Sequence, residues 1–377
     1  KNSEMTRLAA GISGVRRTTG QHPGGLIVVP TDKDIMDFTP LQHPADKKDS
    51  GVITTHFEYH AIGDQLVKLD ILGHDDPTVI KELEDLTGIQ ASRLSLSDRQ
   101  TMLLFSGVEP LGVTPEEIGS TVGTYGIPEF GTPFVRQMLE TTRPTTFSEL
   151  VRISGLSHGT DVWLNNAQNL IESEAATLNE VICTRDDIMT YLIHQNMNKT
   201  QAFEIMEKVL KGKGLKDKDI DLMDRCGIPD WYINSCQKIK YMFPKAHAVA
   251  YVTMAFRIAW FKINYPLAFY SSFFGIRAED FEAETILGGY DRVQERLREI
   301  NKLGFSATQK EKRLQTVLEL ALEMYARGFH FMPVDIYKSD ARKFIISGNG
   351  LRLPFAALPN IGLAAAQGII SSRQEGK

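Results

Sequence analysis

The stretch "QLVKLDILGHDDPTV", residues 65–79, places Lys68 and Asp70 two apart inside an apolar run. Strand alternation puts Val67, Leu69 and Ile71 on one face and Leu66, Lys68, Asp70 and Leu72 on the other, so the run reads as a buried strand leading into a helix. A charge is costly to bury unless it is paired or bound, and two charges on one face therefore need an explanation. One reading is an ion pair between Lys68 and Asp70, or a strand-end carboxylate facing water. The other is a metal-binding carboxylate beside an ammonium that meets an anionic ligand. Two-metal phosphoryl or nucleotidyl transfer needs several carboxylates around its cations, and Asp70 alone does not supply them. Asp75 and Asp76 lie nearby, but their place before Pro77 reads as helix capping.

Further stretches carry cations or glycines in patterns that suit phosphate. In "TTGQHPGG", Gly24 and Gly25 read either as a plain turn at positive φ or as a backbone nest for phosphate, with His22 as an added donor. In "KVLKGKGLKDKD", Lys208, Lys211, Lys213, Lys216 and Lys218 fit an exposed helix end as well as they fit a grip on a triphosphate or a nucleic-acid backbone. The segment "KIKYMFPKAHAVAYV" clusters Lys238, Lys240, Lys245 and His247 around Tyr241 and Phe243. Aromatic rings among cations are what base stacking plus phosphate neutralisation require. Pro244 puts Lys245 and His247 into the first turn of the next helix, where backbone N–H groups favour anions. Small residues at Ala246, Ala248 and Ala250 would let another chain approach that helix, whereas the later stripe from Phe256 to Phe261 reads as core. Finally, Pro359, Asn360, Ile361 and Gly362, between "FAAL" and "LAAAQGII", have the spacing of a helix–hairpin–helix that contacts DNA phosphate without reading sequence.

These residues need elements to position them. Residues 1–19 read as the end of a helix and a turn, 25–29 as a short strand stopped by Pro30, and 31–64 as irregular with strand-like pieces such as "VITTHF". "DDPTVIKELEDLTG" is a helix with Gly88 at its end. Helical patterns dominate from there to about 275. Leu314, Val317, Leu318, Ala321, Leu322 and Tyr325 mark one amphipathic helix, which Gly328 closes. The fold class is thus α+β and predominantly helical.

With 377 residues the chain has room for two or three domains. It has no apolar run of membrane-spanning length and no signal-peptide pattern, so a cytoplasmic setting without membrane partners is expected. The start without Met and the end in "SSRQEGK" suggest a piece of a longer protein. Cys183, Cys226 and Cys236 lack metal-ligand spacing and read as reduced thiols. The net charge is −5, yet residues 208–262 hold eleven Lys and Arg against five Asp, a local excess of +6. That asymmetry suggests nucleic acid, although a solvated charged face produces such runs too.

Taken in order, "GVRRTTGQHPGGLIVVP", "LVKLDILGHDDPTVI", "GIPEFGTPFVRQML", "TFSELVRISGLSHGTDVWLNNAQ", "YMFPKAHAVAYV" and "LPNIG" resemble the catalytic subunit of bacterial DNA polymerase III, the PolC type most closely. The resemblance runs essentially end to end. It implies the end of a thumb at 1–20, the returning half of a nucleotidyltransferase-type palm at 21–75, and fingers at 76–275. Residues 276–377 would open a duplex-binding region, with the helix–hairpin–helix at about 350–377. It implies template-directed deoxynucleotidyl transfer by a two-metal, Mg²⁺-dependent mechanism on primer-template DNA and deoxynucleoside triphosphates. A sliding clamp and other replisome subunits would be partners of the parent protein. Asp70 matches the third palm aspartate of this family, and the other two lie on a strand this sequence does not contain, so the chain alone should be inactive. Lys68, His22, Gly24, Gly25, Arg185, Lys211, Lys213, Tyr241, Lys245 and His247 are the residues expected near the nucleotide. Lys238, Lys240 and the 359–362 hairpin are expected near DNA. Leu210 stands where the family pattern has Arg. The competing class is a non-enzymatic, sequence-independent DNA-binding module in which Asp70 is merely paired with Lys68.

Overall fold

A computed structural model describes residues 2–14, 19–22, 24–46, 49, 51–71, 73–278 and 280–374. Pro23 and Leu72 of the motifs above lie outside the described residues. The chain divides into a unit of residues 1–74 and a unit of residues 75–377.

The first unit begins with the helix Asn2–Ile12 and continues through short strands and single 3₁₀ turns. Strand β1 (Gly25–Val28) pairs antiparallel with β4 (Val67–Asp70), in the register Gly25 with Asp70 and Ile27 with Lys68. Strands β2 (Leu41–Gln42) and β3 (Thr54–Thr55) form a second small ribbon. The expectation of a buried strand at 67–71 is corrected. Leu26, Val28, Val67, Leu69 and Ile71 form one apolar face that is exposed, Val67 at 62%. The alternation of faces holds, but among the described residues no second layer covers the apolar side of this two-stranded ribbon.

The second unit is predominantly helical. The helix Asp76–Thr87 starts at the expected Pro77 and ends on Gly88, whose φ of 73° lets its N–H reach the Glu84 carbonyl. Capping by the two aspartates is not what the structure has. Asp75 makes no side-chain cap, and Asp76 is buried against Arg277, which is 201 residues away. The helices Lys245–Asn264 and Gln309–Ala326 occur as expected, and Leu314, Val317, Leu318, Ala321 and Leu322 are all buried. Phe256 and Phe261 are core residues. Phe105 packs against Phe130 edge-on at 5.0 Å and stacks on Phe256 at 6.0 Å.

The sequence patterns missed a three-stranded sheet near the end. Strand β7 (Gly350–Arg352) lies between β5 (His330–Met332), parallel to it, and β6 (Ile345–Ser347), antiparallel. The sheet closes over Phe274, Phe281, Phe331 and Phe344, whose rings meet edge-on, at 5.1 Å for Phe274–Phe331 and 5.2 Å for Phe281–Phe344.

One charge sits at the centre of this unit. Lys262 is fully buried, and its ammonium donates to the carbonyls of Gly123 (2.8 Å) and Tyr125 (2.6 Å) and to Glu323 (2.8 Å). Glu323 also accepts from the Tyr270 hydroxyl at 2.7 Å, and Arg327 donates to Tyr270 at 3.0 Å. Burial pulls the Lys262 ammonium down to about 8 while Glu323 pulls it back up. All three of its N–H donors are satisfied, which is what a buried ammonium requires.

Candidate functional site

In the first unit, the face of the β1–β4 ribbon opposite the apolar one carries Lys68 and Asp70 side by side. The Lys68 ammonium is 3.0 Å from Asp70 Oδ1 and 5.3 Å from the centre of the Tyr59 ring. Asp70 keeps 46% of its side chain exposed, so its carboxylate is open to a ligand as well as paired. His22 Nε2 lies 3.9 Å from the same oxygen, while His22 Nδ1 accepts the Gly24 N–H at 3.2 Å.

Gly24 and Gly25 are not at positive φ, which corrects that part of the turn reading. Their role is the missing Cβ. One at Gly24 would sit 2.2 Å from the Ile71 carbonyl, and one at Gly25 would sit 2.9 Å from His22 Nδ1. The glycines thus bring His22 and strand β4 together, and the Gly24 N–H is spent on His22 rather than held out as part of an open nest.

In the second unit, the structure gathers four of the expected cationic and aromatic residues. Arg185, Lys211, Lys240 and Tyr241 line one cavity of about 420 Å³, with Leu210 and Pro244 also on its walls. Tyr241 is 47% exposed, with its ring available for stacking. The cavity is assembled locally. The Arg185–His194 helix begins where the Asp187 carboxylate accepts the Thr184 N–H at 2.9 Å, and the Arg185 N–H points at the Phe243 carbonyl at 3.4 Å. The Lys199–Leu210 helix ends at Lys211, and Gly212 then turns the chain at a φ of 61°. A Cβ at Gly212 would lie 2.8 Å from the Lys240 carbonyl, so only glycine allows this turn to close against Lys240.

The cations are held by carboxylates at the surface: Lys240 by Asp161 at 2.7 Å and Lys211 by Glu207 at 2.6 Å. Exposed pairs of this kind are weak and exchange readily for a more highly charged anion. Lys245 and His247 occupy the first turn of their helix as expected, but they do not line the cavity. The Lys245 N–H already donates to Asp186 at 2.9 Å, and its ammonium pairs with Asp187 at 3.3 Å. Lys213 is exposed beyond Gly212, and Lys238 donates to the Asn165 carbonyl at 2.9 Å.

The hairpin lies elsewhere in the same unit. Asn360 turns it at a φ of 66°, and the helix Leu363–Gln374 follows. What precedes it is a single 3₁₀ turn, Phe355–Ala357, which corrects the expectation of a helix there. Pro354 and Pro359 leave too few residues between them for an α-helix.

Sequence reasoning gave no role to residues 158–160, yet they fasten the Tyr241 segment. Thr160 exchanges backbone hydrogen bonds with it, Thr160 N–H to the Tyr241 carbonyl at 2.9 Å and Lys240 N–H to the Thr160 carbonyl at 3.1 Å. Their motif, "SGLSHGTDVW", contained the signal: a glycine between two polar residues. A Cβ on Gly159 would lie 3.0 Å from the Tyr241 carbonyl.

No group of three or more His, Cys, Asp or Glu that could hold a metal ion exists among the described residues. Asp70 brings one carboxylate, and one carboxylate is not a metal site, so these residues by themselves do not fit the Mg²⁺ centre expected from the resemblance. The cysteines are free thiols, and burial raises Cys183 to about 12, which leaves it inert.

Two family models match consecutive parts of the chain: the bacterial DNA polymerase III alpha NTPase domain over residues 1–73, and the bacterial DNA polymerase III alpha subunit finger domain over residues 76–224. The chain belongs to the bacterial DNA polymerase III alpha subunit family. Within that family it is of the PolC type. A DNA polymerase III PolC-type of Caldanaerobacter subterraneus subsp. tengcongensis is 60% identical over 375 residues, covering 100% of this chain and 27% of that protein. Those of Oceanobacillus iheyensis and Bacillus subtilis are 57% and 56% identical over 377 residues, covering 100% of this chain and 26% of each protein. The chain thus spans about a quarter of the length of the relatives it matches. No helix is long and apolar enough to cross a membrane among the described residues.

Proposed function

We propose that this chain is the returning half of the palm, the fingers and the start of the duplex-binding region of a replicative DNA-directed DNA polymerase. The boundaries are 1–20 for the end of the thumb, 21–75 for the palm, 76–275 for the fingers and 276–377 for the duplex-binding region. In the parent protein the primer 3′-hydroxyl attacks the α-phosphate of a paired deoxynucleoside triphosphate in line, and pyrophosphate leaves. The observation that carries the reading is the cavity in which Arg185, Lys211 and Lys240 surround the exposed ring of Tyr241. Tyr241 offers a face to the nascent base pair, and the three cations offset triphosphate charge. Lys211 and Lys240 are released from Glu207 and Asp161 when the more highly charged ligand arrives. Lys213 and Lys245 add positive charge beside this cavity, His247 offers its ring there, and Lys238 faces the template.

Lys68 and the His22–Gly25 turn serve the nucleotide from the palm. Asp70 contributes one carboxylate to an Mg²⁺ site completed by carboxylates from the rest of the parent. The 359–362 hairpin binds duplex phosphate. The partners are primer-template DNA, deoxynucleoside triphosphates and, through the parent, the sliding clamp and other replisome subunits.

The test is made in the full-length parent. Asp70→Asn should lower primer extension about a thousand-fold or more, equivalent to about 4 kcal/mol of transition-state stabilisation. DNA affinity should stay within about two-fold, since phosphate contacts elsewhere carry it. Tyr241→Ala should raise the KM for nucleotide. Normal extension by Asp70→Asn would refute the assignment of that carboxylate, and an unchanged KM in Tyr241→Ala would refute the nucleotide cavity.

A further inference from the structure

His158 ends the Phe147–His158 helix, and both of its ring nitrogens face acceptors. Nδ1 is 2.8 Å from the Ser154 carbonyl, and Nε2 is 2.8 Å from Glu129 Oε2. The Glu129 carboxylate beside Nε2 favours the imidazolium form of the ring, and the Ser157 hydroxyl lies 3.0 Å from Nδ1. The ring plane lies on Phe243, centroids 4.6 Å apart and tilted by only 24°. Phe243 in turn stacks on Tyr251 at 6.2 Å and meets His247 edge-on at 6.0 Å. Glu129 reaches its place from a backbone with a φ of 67°, a conformation costly for a residue with a side chain.

We propose that His158 is a positioning residue for the nucleotide cavity: its cation, fixed by Glu129 and the Ser154 carbonyl, holds Phe243 and, through residues 240–243, keeps Lys240 and Tyr241 in place. The proposal rests on the nucleotide reading of that cavity given above. Its geometry is a cation on an aromatic face two residues from Tyr241, in a segment already tied to Thr160. No contact of His158 with substrate is involved.

The pair has a pH signature. The other titratable and charged groups around it are His247 and Tyr251, whose rings both meet Phe243, and Asp161 paired with Lys240 in the adjacent turn. Burial raises the Tyr251 hydroxyl, with the Glu129 charge adding to the effect, so Tyr251 stays neutral where histidine titrates. Glu129 raises His158 above the ordinary histidine value, against burial. A raised histidine contributes fully below the ordinary value and loses its contribution as pH climbs through the raised one. The positioning is therefore complete below the ordinary histidine range and fades as pH climbs through the raised value.

Two measurements test this. Histidine-selective NMR on the 377-residue chain, with His158 assigned through His158→Gln, should show it titrating above the ordinary range and Glu129→Gln bringing it down. In the full-length parent, the KM for nucleotide should rise about five-fold through that same pH range with kcat changing less, the size of one half-buried cation–π contact. Glu129→Gln should move the rise to lower pH, and His158→Gln should give the high KM at every pH. Titration of His158 in the ordinary range overturns the proposal, and Glu129→Gln alone decides it if His158→Gln does not fold. A raised titration with a flat KM also overturns it. In that case Tyr241→Ala tells which idea failed: a raised KM there leaves the nucleotide cavity standing, and an unchanged one removes the cavity as well.

Discussion

Lys262 lets the weight of one buried charge be worked out and measured. Replacing it with Met keeps the length of the side chain and removes the ammonium. Glu323 is then left in a fully buried place with Tyr270 as its remaining side-chain donor, and the carbonyls of Gly123 and Tyr125 lose a partner they share. Breaking a buried pair from one side costs about 3–5 kcal/mol, a large part of the ~5–15 kcal/mol that holds a domain folded. Removing both charges in Lys262→Met with Glu323→Leu should recover at least half of that loss, because paired apolar replacements are often nearly neutral. The contrast is Lys240 with Asp161, 2.7 Å apart against 2.8 Å for Lys262 and Glu323, but exposed. Asp161→Asn should change stability by less than about 1 kcal/mol. Urea unfolding followed by tryptophan fluorescence reads the right unit, since Trp163, Trp231 and Trp260 all lie beyond residue 75. A Lys262→Met chain losing less than about 1 kcal/mol would falsify the claim that burial makes this pair structural.

Gly212→Ala forces a Cβ against the Lys240 carbonyl at a left-handed φ. It should cost about 1–2 kcal/mol in the same urea assay, and in the parent it should raise the KM for nucleotide more than it lowers kcat. The 377-residue chain supplied with primer-template, Mg²⁺ and all four nucleotides should extend no primer, as read on a denaturing gel. Extension would mean that Asp70 needs no further carboxylates.

What could be read from the sequence was local. Pro244 announced the start of the helix at Lys245, the spacing from Leu314 to Tyr325 announced the helix Gln309–Ala326, and alternation put Lys68 and Asp70 on one face. The resemblance set Arg185, Lys211 and Tyr241 near the nucleotide and Lys240 near DNA, and the structure lines one cavity with all four. What could not be read depends on residues distant in the chain. Asp76 looked like a cap because its partner Arg277 is 201 residues on. The apolar face of the β1–β4 ribbon looked like core because alternation says which residues share a face, not whether a layer covers it. The strands β5 to β7 are three residues each, too short for a period to appear. His158 escaped notice because its meaning lies in Glu129 and Phe243, which no spacing connects to it.

The helix Lys245–Asn264 has the Lys245 end beside the cavity residue Pro244 and the Lys262 ammonium locked into the core at its other end. At 1.5 Å per residue, those two lysines are about 26 Å apart on one uninterrupted rod. A rod gripped at its far end works as a lever. Any rearrangement at the cavity that moves this helix as a rigid body must turn it about the Lys262 anchor and be felt at the Gly123–Tyr125 turn and at Glu323. Structural change on ligand binding should therefore be sought there as well as beside the ligand.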